Sequence, residues 1–384
     1  MNFHRIALPL LALLVLPFAS ASAQQDAHTY RSELQSFRVV TIAKGLDHPW
    51  SLAFLPDGRK LVTERVGRLR IIGADGKLQP DAVKGVPKVV ARGQGGLLDV
   101  ALHPRFAQNA LIYLSYAEAG EGGQGTAVMR ARLVGDGGNA QLEDQRVVFR
   151  LTPKSGTTHH FGGRLVFDRD EHLYITLGDR GEMERAQKLD DHAGSVIRIN
   201  DDGSVPKDNP FVNKPNAKPE IYTYGNRNVQ GAALHPQSGV LWTHEHGPQG
   251  GDEINVMRAG VNYGWPVITY GVNYVIGTKI GEGTHKAGMA QPIYQWTPSI
   301  APSGMAFYTG DKFPQWRGNL FVGALKLKLL ARLELDGERV VKEERLLEDE
   351  VGRIRDVRAG PDGYIYVLTD ESDGEVLRLE PTKQ

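Results

Sequence analysis

The chain has 384 residues with 45 basic and 45 acidic side chains, so its formal net charge is zero, which argues against a nucleic-acid surface or a polybasic membrane patch. It contains no cysteine, which excludes disulfides, thiolate metal sites, cysteine nucleophiles and covalently attached c-type haem. Its 45 glycines and 21 prolines favour many short strands and turns over long helices.

Residues 1–23 read as a cleaved secretory signal: Arg5 supplies the positive start, residues 6–18 the apolar core, and Ala21-Ser22-Ala23 the small-residue cleavage site before Gln24. The apolar run is too short and too interrupted by proline to span a membrane, and no other stretch is long enough. The mature chain is therefore expected to be periplasmic or secreted. Residues 24–35 read as a mobile leader, and residues 36–384 as one catalytic domain.

Six segments share one grammar of alternating apolar residues, a Pro-Asp-Gly, His-Pro or related turn, and a second β-rich run. They are SLAFLPDGRKLVTER from Ser51, DVALHPRFAQNALIYLSY from Asp99, RLVFDRDEHLYITLGD from Arg164, AALHPQSGVLWTHEHG from Ala232, GMAFYTGDKFPQWRGNLFVGA from Gly304, and DVRAGPDGYIYVLTD from Asp356. Alternation buries one strand face, and the turns supply a tight hairpin reversal. The starts lie roughly 48 to 72 residues apart, room for four strands and a functional loop. The expectation is an all-β, six-bladed β-propeller with four-stranded antiparallel blades. Its ring would be closed by pairing residues 37–43 with residues 376–379 in one blade. A pair of β-sandwiches with similar hairpins is the alternative fold. Residues 120–125 and 135–138 read as glycine-rich loop tips.

The unusual chemistry lies beside these repeats. In GQGGLLDV, Gln94 sits in a glycine turn. The segment GTTHHFGGR can present His160 to a pocket as a proton acceptor, and LGDRGE places Asp179 at the end of the adjacent strand, where a carboxylate could orient that imidazole. A solvated His-rich hairpin is the plain alternative; zinc lacks any supporting ligand spacing. In YGNRNVQG, Arg227 and its flanking asparagines offer fixed donors for a carbonyl or carboxylate, or a salt bridge between blades. The stretch HEHGPQGGDEINVMRAGVNYGWP from His244 concentrates turn-forming glycines and prolines with Asp252, Glu253 and Asn255, the raw material of a calcium site or of a polar loop. Near the C-terminus, LKLK sets Lys326 in an otherwise apolar strand, and GRIRD sets Arg353 and Arg355 on one strand face. Such cations suit a multiply anionic ligand, or simply a solvated face.

On the ordered set GQGGLLDVALHP, HHFGGRL, GDRG, GNRNVQG, HGPQGGDEIN, NYGWP, LK and RIRDV, the chain resembles the soluble quinoprotein sugar dehydrogenases, in particular their aldose sugar dehydrogenase branch, over roughly residues 45–379. These are exported six-bladed propellers that use pyrroloquinoline quinone (PQQ) and calcium. The resemblance implies that His160 takes the proton of the sugar C1 hydroxyl, that Asp179 orients it, and that Arg227 and Asn228 surround the reactive quinone. It implies that Gly247 and Pro248 give backbone carbonyls to a cofactor-bound Ca2+, and that Lys326, Arg353 and Arg355 hold PQQ with Gln94 and Tyr274 as further contacts. Glu253 and Tyr263 would bind a second, structural calcium. An aldose would become a lactone, and an external electron acceptor (a quinone, a soluble cytochrome or a dye) would reoxidise the cofactor. His159 stands where the larger glucose dehydrogenases carry an acidic residue, which puts a glucose preference in doubt. Shorter loops imply an open funnel and a monomer.

Two rival functions share the fold. A calcium-dependent lactonase would activate water and has no use for three converging cations. A non-catalytic sugar-binding propeller would not need His160 paired with Asp179.

Overall fold

Each of the six repeats becomes the first two strands of one antiparallel sheet. The computed structural model describes Met1 and residues 28–382, so the signal expected over residues 1–23 lies, Met1 apart, outside the described residues. The first strands are Pro49–Phe54, Leu97–Leu102, Leu165–Phe167, Val229–Leu234, Pro302–Phe307 and Ile354–Ala359. Each touches the next and the last touches the first, closing a ring of six blades.

Both faces of a blade are buried against its neighbours, so the core is a set of six radial layers. Leu61, Leu69 and Ile112 fill the first interface, and Phe149, Leu173 and Ile197 the second. Tyr174 with Leu241, Trp242 with Phe307, Phe321 with Ile354, and Leu52 with Leu368 continue around the ring. This explains why the sequence alternates less strictly than a one-sided sheet: Pro49–Phe54 is buried along nearly its whole length.

Ring closure is as expected. Ser36–Leu46 pairs antiparallel with Gly374–Pro381, with Val39 opposite Leu379 and Thr41 opposite Leu377. Two blades depart from four strands. The first blade has three, and its outer edge is reduced to a single bridge between Ile72 and Leu78. The last has five, because Thr29–Arg31 adds to the edge of Ser36–Leu46. The leader expected over residues 24–35 therefore gives way to structure at Thr29. Of the two glycine-rich tips, residues 123–125 are already in the strand Gly123–Val134, so that turn is tighter than expected.

The axis of the ring is plugged. Arg164 pairs with Asp356 at 2.9 Å, while Arg358 reaches Asp356 at 2.8 Å and Asp99 at 2.9 Å. Ser51 bonds Asp99, and Arg358 bonds Ser51 at 3.0 Å. Two cations thus meet two carboxylates on the first strands of the first, second and sixth blades and at the entry to the third. On one side of this plug lies a cavity of about 500 Å³ lined by apolar residues of all six first strands, with Arg358 among them. On the other side lies a cavity lined by charged side chains.

Candidate active site

The site occupies the end of the ring where first strands begin and second strands finish. His160 precedes the first strand of the third blade, in a left-handed conformation (φ 57°) followed by Gly162 at φ 63°. A Cβ on Gly162 would lie 2.5 Å from the Leu177 Cα, so only glycine lets this turn pack onto the neighbouring strand. The His160 amide donates to Gln94 Oε1 at 2.8 Å. Its Nδ1 lies 2.6 Å from Asp179 Oδ1. Asp179 also accepts from the Gly181 amide at 2.7 Å and from Trp265 Nε1 at 2.8 Å. These donors hold the carboxylate in place and require the proton of His160 on Nδ1, leaving Nε2 as the free base. Burial pulls the His160 pKa below its usual value against the opposing pull of Asp179, so the ring is neutral near pH 7. Burial works to raise Asp179, but its bond to His160 and the charge of Arg227 hold it below the usual carboxylate value.

Arg227 sits in the link between the third and fourth blades. Its Nη1 donates to the carbonyls of Gly247 at 2.7 Å and His246 at 3.1 Å, and its guanidinium lies 5.3 Å from the centre of the Trp265 ring. Asn228 Oδ1 accepts from the Gly162 amide at 3.1 Å, tying this link to the His160 turn.

Gln94, Asn228, Lys326, Arg353 and Arg355 line one cavity of about 290 Å³, together with Trp50, Arg65, Gln230, His246 and Asp370. Arg355 reaches Asp370 Oδ2 at 2.9 Å, and Arg353 reaches the same oxygen at 3.3 Å. Burial would raise the Asp370 pKa, yet these two arginines hold it far below the carboxylate range. Lys326 is exposed and has no ion-pair partner among the described residues. It lies just past the strand Leu320–Ala324, not within it as the LKLK pattern suggested; the reversal that bonds Ala324 to Leu329 carries it to the site end.

His160, Asp179, Arg227, Pro248 and Tyr274 line an adjoining cavity of about 280 Å³. Arg227 also borders a small third cavity with Gly247, Glu253, Tyr263 and Glu245. The residues expected at two metals are thus divided: Pro248 faces the His160 side, and Gly247 the third cavity. Both carbonyls already accept a side-chain donor, Gly247 from Arg227 and Pro248 from Tyr274 at 3.0 Å, each leaving one lone pair.

Glu245 stands directly opposite Glu253 in the strand pairing. Burial and its acidic neighbour raise Glu253 well above the usual value, and burial pushes Glu245 up to about 7. Asn226 Oδ1 and Asn255 Oδ1 are buried nearby without a hydrogen-bond partner. Two facing carboxylates and two orphaned amide oxygens suit a hard divalent cation such as calcium. The Tyr263 hydroxyl is already committed to Val256 O at 2.6 Å and the Arg258 amide at 2.9 Å. Asp252, expected as a metal oxygen donor, instead orders the loop: it accepts from Gly247, Ser299, Ile300 and Ala301.

Sequence reasoning missed Trp50, Arg65, Glu245, Trp265 and Asp370. Trp265 was legible in NYGWP and Glu245 in HEHG. Trp50, Arg65 and Asp370 stand at the ends of ordinary repeat strands and carried no signal of their own.

Fold and face together define the class: a six-bladed propeller with a cation-lined well at one end of the ring. Within that class, the chain belongs to the glucose/sorbosone dehydrogenase family, which matches residues 46–378. It is 52% identical over 347 residues to the aldose sugar dehydrogenase YliI of Escherichia coli K12, covering 89% of this chain and 92% of that protein. It is 30% identical to quinoprotein glucose dehydrogenase B of Acinetobacter calcoaceticus, covering 96% and 94%. Among solved structures, the PQQ-bound aldose sugar dehydrogenase of Streptomyces coelicolor superposes with a TM-score of 0.75 at 30% identity, covering 90% of this chain and 98% of that one.

Proposed function

We propose that the protein is an exported quinoprotein dehydrogenase that oxidises aldoses at C1 to lactones, with PQQ and Ca2+ as cofactors and an external electron acceptor. Residues 36–384 form its catalytic propeller, behind a cleaved signal over residues 1–23. The observation that carries the reading is the adjacency of an oriented, neutral His160 to a well lined by four cations and one carboxylate. Their excess of about three positive charges suits the three carboxylates of PQQ. The flat guanidinium groups of Arg353 and Arg355, braced by Asp370, would grip carboxylates with little loss of side-chain entropy.

When bound, PQQ supplies a hydride-accepting carbonyl and calcium the Lewis acid that polarises it. The chain's own residues do the rest. His160 Nε2 accepts the C1 hydroxyl proton while Asp179 stabilises the resulting imidazolium. Arg227 and Asn228 present donors where negative charge develops. Pro248 would offer its carbonyl oxygen to a calcium on the His160 side, and Gly247, Glu253, Glu245 and Tyr263 would surround the second. Gln94 positions the His160 backbone, and Tyr274 braces Pro248.

The test is reconstitution. Metal- and cofactor-free protein is incubated with PQQ and calcium, and dye reduction is followed with a panel of aldoses. Sugar-dependent dye reduction only in the reconstituted sample supports the proposal. Lactone hydrolysis without PQQ would replace it with a lactonase, and sugar binding without either reaction with a carbohydrate-binding propeller.

A further inference from the structure

Seven arginines are buried among the described residues. Arg164, Arg185, Arg198, Arg332 and Arg355 each pair with a carboxylate. Arg227 and Arg180 do not. Arg227 lines the His160 cavity, whereas Arg180 lines neither that cavity nor the cationic well and has no exposed surface. Burial and the nearby charge of Arg185 pull the Arg180 pKa down to about 10, so the group stays charged near neutral pH. A buried cation without a counter-charge is costly, and an apolar side chain of similar volume would fill the space with less penalty. The partners of Arg180 show what the charge does instead. Its Nη1 donates to the carbonyl of His159, and its Nη2 to that of Thr157 at 2.8 Å. The Thr157 hydroxyl donates back to the Arg180 carbonyl at 2.5 Å. The guanidinium lies 3.6 Å from the centre of the Phe161 ring. One planar group thus holds the chain on both sides of His160, while Arg180 itself directly follows Asp179. His160 (φ 57°) and Arg180 (φ 60°) are both left-handed, a conformation that persists in a non-glycine residue only where its surroundings enforce it. The two turns also touch through their backbones: a Cβ on Gly178 would lie 2.3 Å from the His160 carbonyl oxygen.

We propose that Arg180 is a positioning residue for the sugar oxidation: it staples the turn that carries His160 to the turn that carries Asp179, and so fixes the tautomer and the aim of the imidazole. The inference rests on the dehydrogenase reading above. The bond of 2.6 Å between His160 Nδ1 and Asp179 Oδ1 joins two separate loops, and a slip of either loop would break it. Arg180 is joined to Asp179 by a peptide bond and to the peptide before His160 by a hydrogen bond, so the three residues form a closed loop of contacts. Neither member of the dyad can then move without the other. The role needs a guanidinium. Its fork sends two N–H groups to two carbonyls while its flat face covers Phe161, and the point charge of a lysine cannot do both. Its charge also strengthens both hydrogen bonds.

The test uses Arg180→Lys, which keeps the charge and loses the fork, beside Thr157→Val, which keeps the guanidinium and removes only the returned bond. Neither residue lines the His160 cavity or the cationic well. Dye reduction by the reconstituted enzyme gives kcat and the aldose KM, and fluorescence titration of the cofactor-free protein gives the Kd for PQQ. The ring-nitrogen NMR signals of His160, assigned by their loss in His160→Ala, report which nitrogen bears the proton. They are recorded on the cofactor-free protein well below its thermal midpoint. Arg180→Lys is expected to lower kcat about 10- to 100-fold, the scale of a small misplacement of a reacting group. KM and Kd should stay within about threefold, and His160 should pass from the Nδ1–H form to a mixture of tautomers. Thr157→Val should lower kcat about three- to tenfold with the same signature, the worth of one hydrogen bond. If Arg180→Lys does not fold, Thr157→Val decides on the same criteria. A kcat within about twofold of the unaltered enzyme, or unchanged ring-nitrogen signals, overturns the proposal. So does a joint loss of kcat, sugar affinity and PQQ binding, which would make Arg180 a fold-stabilising residue and no more. Absence of sugar-dependent dye reduction in the unaltered protein strikes the dehydrogenase reading; the ring-nitrogen signals then still decide whether Arg180 holds the dyad.

Discussion

His160 is useful as a base only while neutral, and two forces of opposite sign set where that holds. Burial lowers its pKa and Asp179 raises it, with burial the stronger. The acid limb of kcat/KM is therefore expected below the pKa of about 6.5 of a free histidine. Asp179→Asn removes the force that favours the imidazolium, so the limb should move to still lower pH. The same change should lower kcat, because an amide can hold the ring in the wrong tautomer. A limb that moves to higher pH would contradict this account. His160→Ala should cost about 10²- to 10⁴-fold in kcat while PQQ binding, followed by fluorescence titration, stays within a few-fold. Arg355→Ala should weaken that binding about 10- to 100-fold, the worth of a charged hydrogen bond, and it also leaves buried Asp370 with one arginine fewer. Unaltered PQQ retention in this variant would remove Arg355 from the cofactor clamp.

At the scale of elements, the strand pairing that sets Glu245 opposite Glu253 places like charges side by side in a buried setting. Such a pair needs a proton or a cation. Calcium at about a hundredfold excess over its Kd should stabilise the metal-free protein by ~2.7 kcal/mol, read as a rise in thermal midpoint. Glu253→Gln should abolish most of that rise; an equal rise in the variant would free the pair of any metal role. This pair also marks the boundary of what the sequence told. The hairpins were legible because each repeat announces its own turn, and the loop chemistry because glycines and prolines stand out against strands. Glu245 looked like the end of a strand, and Asp370 like any acidic residue after VLT. Each acquires meaning only from a neighbour that topology supplies, Glu253 across a sheet and Arg355 across a blade. Thr29–Arg31 escaped for a different reason. It is a short polar edge strand whose pairing depends on Ser36–Leu46, with no periodicity of its own.

For the whole molecule, closure is the governing constraint. The ring is fastened by a strand from near the N-terminus completing a sheet built from the C-terminus, so the core at this seam joins both ends of the chain. Phe37 is fully buried at that seam and meets Trp316 at 5.6 Å in the next blade. Phe37→Ala should cost about 3–5 kcal/mol. Because every blade leans on two others, the loss should appear as one lower cooperative calorimetric transition and not as local fraying. A separate, early-melting blade would show that the seam is independent of the ring. Six-fold closure was foreseeable from the repeats; the direction in which the charged loops gather was not, since both ends of the blades carry turns of similar composition.

The ionic knot of Arg164, Arg358, Asp99 and Asp356 separates the charged end of the ring from the apolar cavity at the other end. On the proposed dehydrogenase reading, sugar would enter, lactone leave and electrons be collected at the same end, so the two half-reactions would have to take turns. Initial rates plotted in double-reciprocal form against sugar, at several acceptor concentrations, should give parallel lines, and crowding by excess sugar should slow turnover by keeping the acceptor waiting outside.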